Sequence, residues 1–257
     1  MKTKIVRATH GWLPDLPDHR DHLYAAPPHV ISKLPTKVDL RKGCPPVYDQ
    51  GQLGSCTANS IGAAVQFEQI KQKKKTFIPS RLFIYYNERS MEHTVNSDAG
   101  AQIRDGIKSV NKLGVCPETM WPYDDGKTKF IQKPTADCYK TALNNQVVSY
   151  QRVTQTLMQM KGCLADGYPF VFGFSVYDNL YSDKVTKTGV LSLPGPKDKS
   201  EGGHAVMAVG YDDASQWFII RNSWGKDWAD KGYFYMPYAY ITDDNLADDF
   251  WTIRLVE

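Results

Sequence analysis

The chain changes texture near its middle, and that change limits the folds open to it. In the front half, apolar residues recur at helical spacing. Ile61, Ala64, Val65 and Glu68 follow a good N-cap, Ser55, and predict a helix that starts behind the glycine-broken stretch "DQGQLGSC". "PSRLFIYYNERSME", with Pro79 near its start and a Leu82, Phe83, Tyr86 face, predicts a second helix. Ile103, Ile107 and Val110 before Gly114 predict a third, and "QTLMQMKGCLADG" one more, stopped by Gly167. From there the chain turns to aromatic and β-branched runs: "YPFVFGFSVY", "TGVLSL", "HAVMAVGY", "QWFIIRN", "GYFYMPY" and "DFWTIRLVE". Helices first and strands second is the pattern of an α+β protein with two lobes.

Residues 1–36 stand apart. They are rich in Pro, Asp and His, have no helical or strand period, and read as an extended lead-in segment. No apolar run in the chain has the length of a secretory core or a membrane span, so no signal peptide and no membrane are expected; the compartment stays open. A net charge of +3 from 31 basic and 28 acidic side chains gives no field that would argue for nucleic acid as a partner. Five cysteines, Cys44, Cys56, Cys116, Cys138 and Cys163, leave at least one free thiol, and the pairing of the others is open. No Cys/His spacing suits a metal and no glycine loop suits a phosphate, so no cofactor is expected.

Cys56 falls at the first turn of the first predicted helix. There the helix dipole and unpaired amides lower a thiol's pKa, which is what a sulfur nucleophile needs. It also needs a base. Five of the six histidines lie in the lead-in or in predicted loops, whereas His204 opens a strongly apolar strand. That strand and "QWFIIRNSWG" read as a hairpin around "DDAS". A turn of three or four residues pairs Tyr211 with Ser215 or Gln216 and brings His204 opposite Asn222 or one residue away. A carboxamide there can accept the imidazole N–H and fix its tautomer.

The stretches "PVYDQGQLGSC", "GGHAVMAVGYD" and "RNSWGKDWADKGYF", in that order, make the chain resemble the papain-like cysteine proteases, the papain and cathepsin family, over residues 36–257. The step from Cys56 to His204 fits the ~130–150 residues usual in that family, while the step to Asn222 runs over it. The resemblance implies a helical lobe (about 45–140), a β-barrel-like lobe (about 141–257) and a cleft between them. It implies a Cys56–His204 thiolate–imidazolium pair that cleaves peptide bonds through an acyl-enzyme, Asn222 orienting His204, Gln50 helping to stabilise the oxyanion, and Trp224 shielding the His204–Asn222 bond. Peptides or proteins are the implied substrates, and a monomer is expected. Leu53 and Thr57 depart from the family's usual cysteine and tryptophan, so at least one of its disulfides is missing. The long inhibitory prosegment is also absent; the short lead-in is similar to that of bacterial members.

For substrate, "SDAGAQIRDG" resembles the family's backbone-binding wall, which puts Ala99, Gly100 and Ala101 at the non-primed subsites. Gly173, Gly203 and Ala205 are expected around the pocket for the second residue upstream of the scissile bond, with Asp248 or Asp249 closing its floor. Tolerance of Arg as well as apolar residues follows. Trp12, Leu13, Leu16, Leu23 and Tyr24 need burial and have no core of their own, so the lead-in is expected to pack on the body and partly cover the cleft. Two alternatives remain at this level: a catalytically suppressed binding protein on the same fold, or an enzyme that transfers the acyl group to an amine.

Overall fold

A computed structural model describes residues 10–126 and 128–257; the first nine residues of the lead-in and Lys127 lie outside the described residues. The lead-in carries two short strands, β1 (Trp12–Leu13) and β2 (Leu23–Tyr24), and the four-residue helix α1 (Pro28–Ile31), none of which its sequence announced. It ends at β3 (Lys37–Asp39). The helices follow: α2 (Cys56–Lys71), α3 (Arg81–Met91) and, directly after the two-residue β4 (Ala101–Gln102), α4 (Ile103–Lys112). Next come α5 (Ala136–Ala142), β5 (Val147–Val153) and α6 (Leu157–Ala165). The strands β6 (Phe170–Tyr177), β7 (Ser200–Asp212), β8 (Trp217–Arg221), β9 (Tyr233–Pro237) and β10 (Ala247–Val256) complete the chain, with α7 (Asp183–Thr188) and α8 (Tyr238–Ile241) between them.

The sheet runs in the order β2-β5-β10-β6-β7-β8-β9, with β3 pairing β7 off this path. It is open, since β2 and β9 stand at its two ends. Strand β6 up to Phe174 and strand β7 from Ala205 to Tyr211 carry no charged side chain because both their faces are covered. Val171, Ala205, Met207 and Val209 join the core built with α2, α3 and α4, whereas Phe170, Phe172, Phe174, Val206 and Ala208 join a second core on the other side. Helix α2 is enclosed from Cys56 to Gln69, which explains why its apolar residues make only a weak stripe. Its first residue therefore sits where helices meet sheet.

Two local expectations are corrected. "TGVLSL" forms no regular strand: Gly189, in the left-handed region at φ 74°, ends α7, and Val190 makes only an isolated bridge to Tyr235. The hairpin pairs Tyr211 with Phe218 and Asp212 with Trp217, and a bulge between Ala208 and Gly210 then shifts the ladder so that Met207 meets Arg221. The turn, residues 213–216, has one of the expected lengths, but it lies one residue further along the chain and the register differs.

Candidate active site

The turn before α2 is held by its surroundings. Gly54 N–H donates to Asp98 (3.0 Å) and Gln52 N–H to Asp125 (2.9 Å). Ser55 occupies the N-cap position without capping; its Oγ lies 2.6 Å from the Tyr123 hydroxyl and accepts from Asn59 Nδ2 at 3.0 Å. Tyr123 in turn donates to the Gln50 carbonyl (2.8 Å). Gln50 is fully buried: its N–H donates to the Ser223 carbonyl (2.9 Å), its Nε2 to the Leu53 carbonyl (3.0 Å), and its Oε1 accepts from Ser223 Oγ (2.6 Å). Thr57, in the place of the family's usual tryptophan, donates to the buried Glu88 carboxyl of α3 (2.6 Å), and Leu53 is buried.

Strand β7 brings its residues to the same place. The sulfur of Cys56 lies within hydrogen-bonding reach of the backbone amide of Ala205, next to His204. His204 Nε2 lies 2.8 Å from Asn222 Oδ1, and that oxygen also accepts from Ser223 N–H (2.9 Å). A carboxamide oxygen can only accept, so Nε2 carries the proton and Nδ1 keeps its lone pair. Nδ1 has no hydrogen-bond partner among the described residues. Asn222 is reached diagonally across the shifted ladder. The ring that stacks on His204 is Trp224, at 5.0 Å between centroids, and Trp228 meets Trp224 edge-on.

Burial reverses the expected electrostatics. Cys56 and His204 are both fully buried. Desolvation pushes the Cys56 thiol up to about 12, outweighing the amides of Ala205, Gly11 and Thr57 that favour the thiolate. It pushes His204 down to about 3, with His10 adding to the shift and Asn222 opposing it. In this state both groups are neutral, and the helix N-terminus does not make the cysteine acidic.

The cover is the lead-in. Strand β1 lies parallel to β4, with Ala101 N–H donating to the Gly11 carbonyl (2.8 Å). Gly11 approaches the turn before α2 so closely that a Cβ on it would stand 1.8 Å from the Gly54 carbonyl oxygen. The Trp12 indole lies on the bare backbone of Gly173, where a Cβ would stand 1.9 Å from the ring, and Gly203 borders the same ring. Its Nε1 donates to Asp249 Oδ2 (3.0 Å), as does Asp15 N–H (2.7 Å). His10 packs against His204 at 5.8 Å between centroids and bonds Tyr181 (2.5 Å).

The expected subsite residues thus divide. Gly100 and Ala101 flank Gly11, with Ala99 half-buried just before them. Gly173 pairs with Ala205 across β6 and β7 and, with Gly203, surrounds Trp12. The two aspartates differ in exposure: Asp249 is fully buried under Trp12 and Asp248 is half-exposed, and both pair with Arg152 (3.2 and 3.0 Å). A bulge between Asp248 and Trp251 and a left-handed φ of 60° turn Asp249 inward. Burial of the lead-in is partial. Trp12 and Tyr24 are buried, but Leu13, Leu16 and Leu23 stay exposed. His10, Tyr181 and Ser223 were not singled out from sequence; Ser223 sits inside the "RNSWG" motif, whereas nothing in the sequence around His10 or Tyr181 marks them.

A cysteine opening a buried helix, set against a strand that carries a carboxamide-bound histidine, is the core of a two-lobed thiol peptidase. The family model of the papain family cysteine proteases matches residues 34–248, and the chain belongs to that family. It is similar to an uncharacterized peptidase C1-like protein, L477, of Acanthamoeba polyphaga mimivirus, at 43% identity over 100% of this chain and 90% of that protein. The cathepsin B-like CP3 of Giardia intestinalis is 32% identical over 82% of this chain and 72% of its own length. Among solved structures, xylellain, a cysteine protease from Xylella fastidiosa, is 50% identical and superposes with a TM-score of 0.91 over 99% of this chain and 100% of its own. The protein is a papain-like cysteine peptidase, a hydrolase that acts on peptides or proteins. Among the described residues, no helix is long and apolar enough to cross a membrane.

Proposed function

We propose that Cys56 is the nucleophile, His204 the base and acid, Asn222 the orienting group and Gln50 an oxyanion donor of an endopeptidase whose cleft the lead-in closes. The observation that carries this is the His204–Asn222 bond, which leaves the basic Nδ1 of His204 free in the site where the Cys56 sulfur meets the amide beside it. With the lead-in displaced, water and a substrate carbonyl reach the sulfur, and the Cys56 proton passes to Nδ1. The thiolate attacks the carbonyl; the Cys56 N–H and the Gln50 carboxamide stabilise the oxygen that becomes charged. The His204 imidazolium then protonates the leaving amine, and imidazole activates the water that releases the acyl group. Trp224, stacked on His204, keeps water from the Asn222 bond.

An epoxide or vinyl-sulfone inactivator should label a chain beginning at Leu34, and Cys56→Ala should abolish the label. Such a chain should also turn over substrate faster than the full chain. Absence of label on the shortened chain would favour a suppressed binding protein on the same fold. Product analysis with added amine separates hydrolysis from acyl transfer.

The pocket that Trp12 fills is the one we assign to the second residue upstream of the scissile bond. Its floor carries a carboxyl, Asp249, already accepting an indole N–H. A guanidinium could take that place. Cleavage of Arg-Arg relative to Phe-Arg fluorogenic substrates should fall in Asp249→Asn and change little in Asp248→Asn; an equal response of both substrates to Asp249→Asn would remove the assignment.

A further inference from the structure

Away from the cleft, two thiols that the chemistry above does not use face one another. Cys116 lies just after the turn that ends α4, and Cys138 in the first turn of α5. Both are buried in the same core cluster and both are free. Their side chains lie within hydrogen-bonding reach of each other. Each is held from behind. The Cys116 carbonyl accepts from Ser80 N–H (2.9 Å), and Cys138 Sγ accepts from Thr135 Oγ1 (3.2 Å) and faces the Met120 carbonyl (3.8 Å).

We propose that Cys116 and Cys138 are a redox-sensitive pair that closes to an intramolecular disulfide in the presence of a low-molecular-weight disulfide oxidant. One thiolate attacks the small disulfide and expels one of its sulfurs as a thiolate; the second cysteine then displaces the other sulfur from the mixed disulfide. Two S–H bonds of the protein are replaced by one S–S bond, and the oxidant is reduced to two thiols. Burial, with the neighbouring sulfur adding to it, holds the Cys116 thiol well above its usual range, so the closed bond forms slowly in the native state and readily during folding.

The segment between the two cysteines gives the bond a consequence. Glu118 pairs with Arg81 (2.8 Å), the Trp121 carbonyl accepts from Ser80 Oγ (2.7 Å), and Tyr123 holds the Gln50 carbonyl (2.8 Å). Asp125 accepts from Gln52 N–H (2.9 Å), and the Phe130 carbonyl accepts from Arg89 (2.6 Å). This segment therefore braces the turn before α2, and a bond between its two ends restrains it in the unfolded chain as well. The expected effect is on the stability of that brace.

The test takes the full chain and its Cys56→Ser variant, incubated natively and also refolded from denaturant in glutathione redox buffer, then alkylated under denaturing conditions and mapped by mass spectrometry. The proposal expects the Cys116 and Cys138 peptides joined and lighter by two hydrogens, in Cys56→Ser as well. Cys116→Ala and Cys138→Ala should each abolish the link. The melting midpoint should rise by several degrees in the oxidised chain and return with dithiothreitol, a shift absent from both alanine variants. Refolded protein in which Cys116 and Cys138 are both alkylated, or carry glutathione singly, overturns the proposal, as does a link to Cys44 or Cys163 instead.

Discussion

Cys56 and Cys163 are alike in burial and in the shift of their thiols. Both are fully buried, and desolvation pushes both thiols up to about 12. What buries them differs. Cys163 sits in α6 with its sulfur on the Tyr168 carbonyl (3.5 Å), inside a core of phenylalanines and valines shared by several strands. Cys56 is sealed on one side by Gly11, the residue just before the two-residue strand β1. The first environment disappears only when the lobe unfolds, whereas the second disappears when the lead-in lifts. Equal burial thus describes an inert thiol in one place and a suppressed one in the other.

Removing the lead-in breaks this equality most directly. In a chain beginning at Leu34, Cys56 regains solvent and the helix N-terminus acts on it unopposed. A fall from about 12 even to the ordinary thiol value of 9.0 multiplies the thiolate fraction near neutral pH by about 10³. Alkylation of Cys56 by iodoacetamide should accelerate by at least that order, while Cys163 stays unreactive in both chains, as read by peptide mapping over time. Comparable acceleration at Cys163 would mean that the shortened chain had loosened as a whole, and no acceleration at Cys56 would mean that the lead-in is a structural strap.

The difference between the two cysteines was only half legible in the sequence. The order of Gln50, Cys56, His204, Asn222 and Trp224 was enough to place a thiol, an imidazole and a carboxamide together, and the change from helical to strand period was enough for the two-layered core. The cover was expected from Trp12, Leu13, Leu16, Leu23 and Tyr24 together, but its details depend on contacts that leave no period. Trp12 docks because Gly173 and Gly203 lack side chains, and a glycine does not announce what will lie on it. Leu13, Leu16 and Leu23 read as equally apolar yet remain exposed, because an extended strap on a surface buries alternate positions at best. Asp249 faces inward through a bulge that two-residue alternation cannot reveal, and another bulge in β7 set the hairpin register. The acidity expected of Cys56 was a local inference that a distant segment overrode.

Within the uncovered site, Gln50 sharpens the comparison next. Its carboxamide is fixed by Ser223 and by Leu53, so truncation should remove a donor without displacing Cys56. In a chain beginning at Leu34, Gln50→Ala should lower kcat/KM by ~10²–10³, the loss of ~2.7–4 kcal/mol typical of one oxyanion donor. Alkylation of Cys56 should change far less, because iodoacetamide develops no oxyanion there. A parallel loss in both measurements would assign Gln50 to the thiol's environment instead.

The smallest effect expected is the pH dependence of the lead-in's grip, and it is small because opposing groups cancel. Burial and the nearby Asp15 push Asp249 up to about 7 in the closed state, and burial raises Asp15 as well. Around them lie Arg104, Arg152, Asp248, Trp12 and Trp251. A carboxyl whose pKa is raised on docking makes docking stronger below the ordinary carboxylate range and weaker as pH rises toward 7. His204 is pushed down to about 3, and partial burial pushes the half-buried His10 down as well, with Glu201 opposing. A lowered imidazole works the other way, strengthening docking above 6.5 and weakening it as pH falls toward 3. The carboxyls and the imidazoles oppose one another between these limits, so the fraction of Cys56 open to alkylation, once intrinsic thiol ionisation is divided out, should change less with pH than either set alone would make it. Asp249→Asn removes one carboxyl from the balance. In that variant the lead-in should loosen steadily as pH falls from 6.5 toward 3, by at most about tenfold per pH unit. A profile that stays flat in Asp249→Asn, or tilts toward loosening at high pH, would show that the imidazoles do not oppose the carboxyls.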